Sequence, residues 1–404
     1  MIYKILIIVF IISNSLYSQN NYPIVLVHGF MGWGDDEMGG YNYWGGVQDY
    51  AEMLRNEGHI VINVSIGPVS SNWERAIEVY TQVKGGQIDY GKSHAEKFNI
   101  IQKPPGKIYK GLYPQWSDDF PIHIIGHSMG GQTARMLQYL LTTVVYEDTA
   151  STLKENSELL GKVNKNWIKS ITSIVTPHDG TTLVDVVNKT IPFIQYFIGI
   201  GGVVATGFYD FDLEHWGFHR RWNENWSEYL NRMKAHKAWG TKNISAWDLS
   251  LAGAKDLNRY LKADPDIYYF SFTAKTTEKS DHSSYHVPIP AASILTKTRS
   301  KILGSKSGYW TDGTVTDSTW YPNDGIVNTR SMYGPTTGIY GSDKILEYQE
   351  DVNMQLTPGQ WYSFGPYILD HWQMIGHLGD IRTNNLSKEI FISHANRLRS
   401  LPSY

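Results

Sequence analysis

Patterns typical of buried strands alternate with patterns typical of helices along most of this 404-residue chain. Apolar runs of strand length cover residues 23–27, 60–66, 121–126, 169–175 and 267–273. Helical spacing, or a helical start signal, covers residues 47–54, 71–84, 131–141 and 248–263. Because consecutive parallel strands need a crossover between them, this alternation predicts one α/β domain with a mostly parallel central sheet flanked by helices.

Charge and cysteine content exclude several classes of function. The 36 basic and 39 acidic residues give a net charge of −3, which argues against a nucleic-acid partner or a polybasic membrane-surface protein. The chain has no cysteine, so thiol catalysis, cysteine-ligated metals and disulfides are excluded. Aromatic residues make up 13% of the chain, which together with the aliphatic residues supplies a large core.

The first residues have the pattern of a targeting segment. Lys4 precedes an unbroken apolar run over residues 5–12, and small and polar residues follow over 13–18. This run is too short to span a bilayer, so it predicts a cleaved secretory signal peptide over residues 1–18 and an extracellular protein. A retained amino-terminal anchor is the alternative. Residues 19–404 are then expected to form a single domain.

The pattern Gly-x-Ser-x-Gly occurs at residues 126–130, between a predicted strand and a predicted helix. At this junction the pattern predicts a nucleophile elbow, in which Ser128 lies on a sharp turn and the flanking glycines let strand and helix pack closely. An ordinary glycine-rich turn is the alternative. A serine nucleophile also needs an oxyanion hole, and its backbone N–H donors are predicted to be Met129, next to the serine, and Phe30, after the first strand.

The base and its acidic partner are expected after the serine, in the order acid then histidine. The histidines that come late enough in the chain are His371, His377 and His394. His371 follows an apolar run, as a loop residue after a strand does, whereas His394 lies in a helical segment and is expected on the surface. The candidate acids are Asp312, Asp317 and Asp324. Asp324 belongs to an Asn-Asp-Gly turn, and chain order and chemistry favour Ser128, Asp324 and His371 as the triad.

Several stretches of the chain resemble the secreted bacterial true lipases of the thermophilic Bacillus-type and staphylococcal group. They lie at residues 28–34, 43–46, 67–73, 125–135, 176–181 and 323–327. The resemblance implies an α/β-hydrolase fold with a helical lid insertion at about residues 182–230, and activity on triacylglycerols. It also implies that Ser128, Asp324 and His371 form the triad and that Phe30 and Met129 form the oxyanion hole.

The chain departs from this family where its members bind metals. The family's zinc ligands correspond here to Glu74, His94, Ile100 and Glu214, so one histidine is lost, although His215 could substitute for it. Glu74 also fits a capping box, which gives it a purely structural alternative. The family's calcium site uses a Glu two residues after the catalytic histidine, where this chain has Gln373. No cofactor is therefore predicted for the chemistry, and a structural zinc or calcium stays open.

One uncharged stretch, residues 190–209, interrupts the alternating pattern. Its length permits a membrane span or a buried helix, but its proline and glycines favour an apolar flap over a site, and no stable membrane span is expected. An apolar flap fits a lid that opens at an oil–water interface. The sequence thus predicts a secreted serine carboxylester hydrolase, foremost a triacylglycerol lipase acting on long acyl chains. A short-chain esterase, a phospholipase and a non-catalytic binding protein on the same scaffold are the alternatives.

Overall fold

The computed structural model of the protein describes residues 20–35, 37–145, 159–188, 214–216, 221–234, 240–338, 342–349 and 354–403. The strands in this part are β1 (Ile24–Val27), β2 (Val61–Val64), β3 (Gly86–Gln87), β4 (Ile108–Tyr109), β5 (Ile122–His127), β6 (Ile168–Ile174), β7 (Tyr268–Ala274), β8 (Thr277–Lys279), β9 (His286–Pro288), β10 (Ile345–Glu347) and β11 (Trp361–Tyr367). The α-helices are α1 (Tyr50–Asn56), α2 (Asn72–Lys84), α3 (Lys92–Phe98), α4 (Met129–Thr142), α5 (Thr182–Asn188), α6 (Trp226–Lys234), α7 (Ser245–Asp248), α8 (Leu251–Leu257), α9 (Ile294–Leu303), α10 (Thr329–Met332) and α11 (Ile381–Ser400).

Seven strands form one central sheet in the order β10-β11-β7-β6-β5-β1-β2. Every neighbouring pair in this sheet is parallel, which confirms the predicted parallel α/β architecture. Two short antiparallel pairs, β3–β4 and β8–β9, lie outside the sheet. Because all seven strands point the same way, the loops that follow their carboxyl ends meet along one edge, where α/β proteins place their sites.

Both faces of the sheet are covered, and side chains alternate between two cores. Along β1, Val25 and Val27 pack with residues of α2 and α4, whereas Ile24 and Leu26 pack with residues of α1 and α11. This period of two is the geometry of an extended strand. A strand that is apolar on both faces is what a doubly covered parallel sheet requires.

Local signals in the sequence fix the start of α2 but not the extent of the predicted helix 248–263. Ser71 caps α2 through a complete capping box with Glu74, as predicted. The segment after residue 244 instead forms two short helices, α7 and α8. Ser250 caps α8 by accepting a hydrogen bond from the Gly253 N–H at 3.0 Å, which starts a new helix where the apolar spacing had predicted a continuous one.

The first described residue is tied to the last helix. The Asn20 side-chain amide donates to the carbonyls of Leu398 at 2.8 Å and Leu401 at 2.9 Å, and the Asn20 N–H donates to the Arg399 carbonyl. Asn20 Oδ1 also contacts His123 Nε2, in β5, at 3.0 Å. Asn20 therefore joins the end of α11 to the amino end of the sheet, on the side away from the site.

Candidate active site

Ser128 lies on a sharp turn between β5 and α4. Its backbone has φ 53° and ψ −127°, a conformation rare for any residue but glycine, and its N–H donates to the Ile174 carbonyl at 2.8 Å. The glycines on either side permit this turn. A Cβ on Gly126 would lie 2.4 Å from the Gly130 backbone, and a Cβ on Gly130 would lie 2.1 Å from the Val27 carbonyl oxygen. The local geometry is that of a nucleophile elbow.

The structure brings His371, in the loop after β11, next to Asp324, in the turn at residues 323–325. His371 Nδ1 lies 2.7 Å from Asp324 Oδ2, and both side chains are buried. Asp324 Oδ1 accepts hydrogen bonds from the N–H groups of Ile326 at 2.9 Å and Val327 at 2.7 Å. The turn thus fixes one carboxylate oxygen and aims the other at the imidazole. Since the carboxylate accepts at Nδ1, the ring proton is assigned to Nδ1 and Nε2 is left to accept a proton.

The imidazole of His371 packs beside the elbow. Its ring centroid lies 4.7 Å from that of His127, the residue before Ser128. Among the described residues no hydrogen bond joins Ser128 Oγ to His371 Nε2. Without substrate such contacts are often long and tighten when substrate binds.

Phe30 and Met129, the predicted oxyanion-hole residues, lie on two segments that flank Ser128. Met129 is the first residue of α4, so its N–H has no partner within the helix. The loop that carries Phe30 approaches the serine closely, because a Cβ on Gly29 would lie 2.7 Å from Ser128 Cβ. The side chains of Phe30 and Met129 belong to one apolar cluster with Leu183. The arrangement puts two backbone segments and an apolar surface beside the serine.

The competing candidates make other contacts. Asp312 is exposed and pairs with Lys255, and Asp317 is exposed and caps a short 3-10 helix. His377 Nε2 is 2.6 Å from the Tyr43 carbonyl oxygen and is part of a structural loop contact. The prediction that His394 lies on the surface is wrong.

His394 is buried because α11 packs against the sheet. Its Nε2 lies 2.7 Å from Thr172 Oγ1 in β6, and its ring packs against Phe270 and Phe272. Burial lowers the pKa of His394 well below its ordinary value, and the nearby Arg397 and His123 lower it further. A histidine that is neutral and satisfied in a core is a packing residue.

Arg75 is a buried residue at the site to which sequence reasoning gave no role. Its guanidinium donates to the carbonyls of Gly67 at 2.7 Å and of His28, and its Nε donates to Thr133 Oγ1 at 3.0 Å. These bonds hold the loop after β1 against α4. The arginine lies within helix α2, and no local pattern announces a contact with residues this far away in the chain.

In the described part of the predicted zinc-site remnant, protein groups surround the carboxylate of Glu74. Glu74 and His94 are adjacent, with Nε2 3.3 Å from Oε1, and His215 Nε2 lies 3.9 Å from the other carboxylate oxygen. Glu74 also accepts hydrogen bonds from the Ser71 N–H, the Ser71 hydroxyl and the Asn243 amide. Burial alone would raise the pKa of Glu74, but the hydrogen bond from His94 and the charge of His215 outweigh it, and the pKa is lowered. The carboxylate is already satisfied by protein donors.

The other two positions that correspond to the family's zinc ligands are Ile100 and Glu214. Ile100 is half-buried against the core, and the side chain of Glu214 lies outside the described residues. Across the part of the chain that the structure describes, no group of three or more histidines or carboxylates is arranged to hold a metal ion.

Gln373 likewise offers no carboxylate to calcium. Its Nε2 donates to the Ala291 carbonyl at 3.2 Å, and its Oε1 accepts from the Asp370 N–H at 2.9 Å. Asp370 is engaged too, because its carboxylate accepts from the Ser293 N–H and the Thr296 hydroxyl. A complete set of protein hydrogen bonds thus holds this loop.

Three predictions fall wholly or partly outside the described residues. The signal peptide (1–18) and the uncharged stretch (190–209) lie outside them, and of the lid region (about 182–230) only residues 182–188, 214–216 and 221–230 are described. Within the ranges that are described, no helix is long and apolar enough to cross a membrane.

The all-parallel sheet, with an elbow after β5 and a paired aspartate and histidine in later loops, defines an α/β-hydrolase fold. The sequence profile of the family "Lipase-like, C-terminal domain" matches residues 20–375. The chain belongs to this family. The resemblance to staphylococcal lipases is confirmed: the chain is 33% identical over 359 residues to a lipase of Staphylococcus hyicus, covering 87% of this chain and 53% of that protein. The chain therefore spans about half the length of this curated relative.

Solved structures are similar to this protein over most of both chains. EstA from Clostridium botulinum superposes with a TM-score of 0.85 at 37% identity, covering 96% of this chain and 89% of that one. Lipase 1 from Pelosinus fermentans superposes with a TM-score of 0.80 at 37% identity, covering 95% of this chain and 99% of that one.

Proposed function

We propose that the chain is a serine carboxylester hydrolase, foremost a triacylglycerol lipase. The observation that carries the proposal is the buried pair of His371 and Asp324 beside the elbow at Ser128. The relatives that are named lipases support a lipid ester as the substrate. No step of the proposed chemistry passes through a metal ion.

In the proposed reaction, His371 Nε2 takes the proton of Ser128 Oγ as the oxygen attacks the ester carbonyl. Asp324 holds the imidazole through Nδ1 and stabilises its charged form. The imidazolium then gives the proton to the leaving alcohol, and an acyl-enzyme forms at Ser128. A water molecule activated by the same histidine releases the fatty acid.

Charge develops on the carbonyl oxygen during both attacks. We assign its stabilisation to the backbone N–H groups of Phe30, in the loop after β1, and of Met129, at the start of α4. The apolar cluster that contains Phe30, Met129 and Leu183 lies at the same place and supports an acyl chain as the group bound there.

The proposal is tested with p-nitrophenyl esters of four to sixteen carbons and with an emulsified triacylglycerol, using the wild type and Ser128→Ala. Loss of hydrolysis in a folded Ser128→Ala variant is the expected result. Preference for the four-carbon ester, with the triacylglycerol untouched, would make the protein a short-chain esterase. Release of fatty acid from phospholipid vesicles alone would make it a phospholipase.

A fluorophosphonate probe separates catalysis from mere binding, because it reacts only with an activated serine. We expect labelling at Ser128 in the presence of a detergent. A folded wild type that is not labelled would contradict the proposal and favour a non-catalytic binding protein. Export and cleavage of residues 1–18 are a separate proposal, checked by the amino-terminal sequence of protein recovered from the medium.

A further inference from the structure

One buried hydrogen-bonded chain connects the three parts of the candidate site. The Gly29 N–H donates to Tyr43 Oη at 2.8 Å, Tyr43 Oη lies 2.6 Å from His127 Nδ1, and His127 Nε2 lies 3.1 Å from the His371 carbonyl oxygen. Tyr43, His127 and His371 are all buried. Neither Tyr43 nor His127 has a role in the reaction proposed above.

The chemistry of the groups sets the direction of every proton in this chain. The Gly29 N–H can only donate and the His371 carbonyl can only accept, so His127 carries its proton on Nε2. Burial lowers the pKa of His127 well below its ordinary value, and the adjacent His371 lowers it further, so the ring is neutral. Its Nδ1 then accepts the Tyr43 O–H. Each donor in this hydrogen-bonded chain has one acceptor, and the phenol oxygen and both ring nitrogens have partners.

The hydrogen-bonded chain connects backbone segments that carry the groups of the proposed reaction. Gly29 precedes Phe30, His127 precedes Ser128, and His371 supplies its own carbonyl. A Cβ on Gly29 would lie 2.9 Å from Tyr43 Oη, so the loop after β1 packs directly against the phenol. Tyr43 is itself held from the far side, because its carbonyl accepts from His377 Nε2 at 2.6 Å.

We propose that Tyr43 and His127 are positioning residues that set the spacing between the oxyanion loop, the serine and the histidine. They act through Gly29, Ser128 and His371 and do not touch substrate. This inference rests on the proposed function. Removing the phenol oxygen leaves the Gly29 N–H and His127 Nδ1 buried without a partner, and the loop after β1 and the end of β5 then shift to find one. A displacement of about 1 Å at an attacking serine is enough to slow a reaction as much as about 100-fold.

The first test compares Tyr43→Phe with Tyr269→Phe. Tyr269 is a matched control, since its buried hydroxyl also accepts one backbone N–H, from Asp264 at 2.7 Å, and donates to one side chain, Gln138 at 2.7 Å. It lies near the amino end of β7, away from the site edge. Both variants lose the same number of hydrogen bonds, so both should lose similar thermal stability.

Only Tyr43→Phe should change the reaction. We expect kcat per serine titrated with fluorophosphonate to fall about 10- to 100-fold in Tyr43→Phe, with KM changed less than about twofold. Tyr269→Phe should keep kcat within about twofold of the wild type. A Tyr43→Phe variant with wild-type kcat per titrated serine would overturn the inference. An equal fall in Tyr269→Phe would overturn it as well, because the effect would then follow stability.

A second pair of variants applies even if Tyr43→Phe does not fold. His127→Gln keeps an acceptor and a donor in the chain, whereas His127→Leu has neither. We expect His127→Gln to recover at least about tenfold in kcat over His127→Leu. Equal kcat in the two variants would overturn the inference. If the wild type is neither labelled at Ser128 nor active, the proposed function itself has failed, which is a distinct result.

Discussion

The backbone of Ser128 adopts a conformation that glycine adopts freely and other residues adopt at a cost. Its φ of 53° lies in the left-handed region, and its ψ of −127° is outside the common left-handed well. Such strain persists when the surroundings hold it in place, here the packing of Gly126 and Gly130 and the bond to Ile174. The serine is therefore kept at the turn at the expense of stability.

This strain predicts different stabilities for two inactive variants. Ser128→Gly removes the Cβ and with it the strain, whereas Ser128→Ala retains both. We expect Ser128→Gly to have a free energy of unfolding about 1 kcal/mol or more above that of Ser128→Ala. Urea unfolding of the two variants measures the difference, and an alanine variant as stable as the glycine variant would contradict it.

Asp248 is a buried carboxyl group whose titration affects stability. Its Oδ2 accepts the Asn72 N–H at 2.6 Å. Burial raises its pKa from the ordinary 3.8 to about 7, and the nearby charge of Glu74 adds to the rise. In the unfolded chain the group ionises near pH 4, so folding takes up a proton above that pH.

Because folding takes up this proton, the contribution of Asp248 to stability is present below about pH 4 and is lost as the pH rises to about 7. Asp248→Asn keeps an acceptor for Asn72 and cannot ionise. We expect the variant to gain stability relative to the wild type as pH increases across this window, measured by urea unfolding. Asp118→Asn, at an exposed position, is the control. A constant difference between Asp248→Asn and wild type across the window would contradict the expectation.

At the scale of elements, side chains of the loop between β11 and α11 bond to the segment that begins α9. Gln373 and Asp370 make these bonds with Ala291, Ser293 and Thr296. An amide N–H of Gln373 donates to the Ala291 carbonyl, a bond that an ionised carboxylate at this position could not make. The loop carries His371, so the same bonds hold the proposed base.

This arrangement predicts that stability does not depend on calcium. We expect the melting temperature of the wild type to be the same with a calcium chelator and with added calcium. Gln373→Glu should melt lower in the chelator, because a carboxylate cannot donate to the Ala291 carbonyl, at a cost of about 1–3 kcal/mol. A fall in the wild-type melting temperature on chelation would show that an ion contributes.

Elements and site residues were predictable where the signal is local. The Ser71 capping box, the elbow at Ser128 and the turn at Asp324 each depend on neighbours within a few residues, and all three have the expected geometry. Contacts between distant segments left no such signal. The bonds of Tyr43 to His127 and of Arg75 to the loop after β1 arise only when the strands assemble.

At the scale of the whole molecule, a chain without cysteine is held by packing and buried hydrogen bonds. Asn20 is one such tie, because its side chain joins Leu398 and Leu401 to the sheet through His123. We expect Asn20→Ala to lower the free energy of unfolding by about 1–3 kcal/mol, since it removes the side chain that bonds the Leu401 carbonyl and His123 Nε2. Urea unfolding gives the value, and kcat, which depends on the opposite edge, should be unchanged. An Asn20→Ala variant as stable as the wild type would contradict this role.

The tie at Asn20 also bears on the order in which the chain can fold as it is made. Ile24 and Leu26 in β1 bury their side chains in a core with Phe391 and Leu398 of α11. A chain that emerges from a ribosome or a translocation pore with its amino end first has β1 available long before α11. This face of β1 can pack against α1 early, but the part of the core that α11 supplies is missing, and the face is exposed to aggregation there, until residues 381–400 have emerged. The core on this face of the sheet is therefore completed only once α11 has been made, long after Ser128.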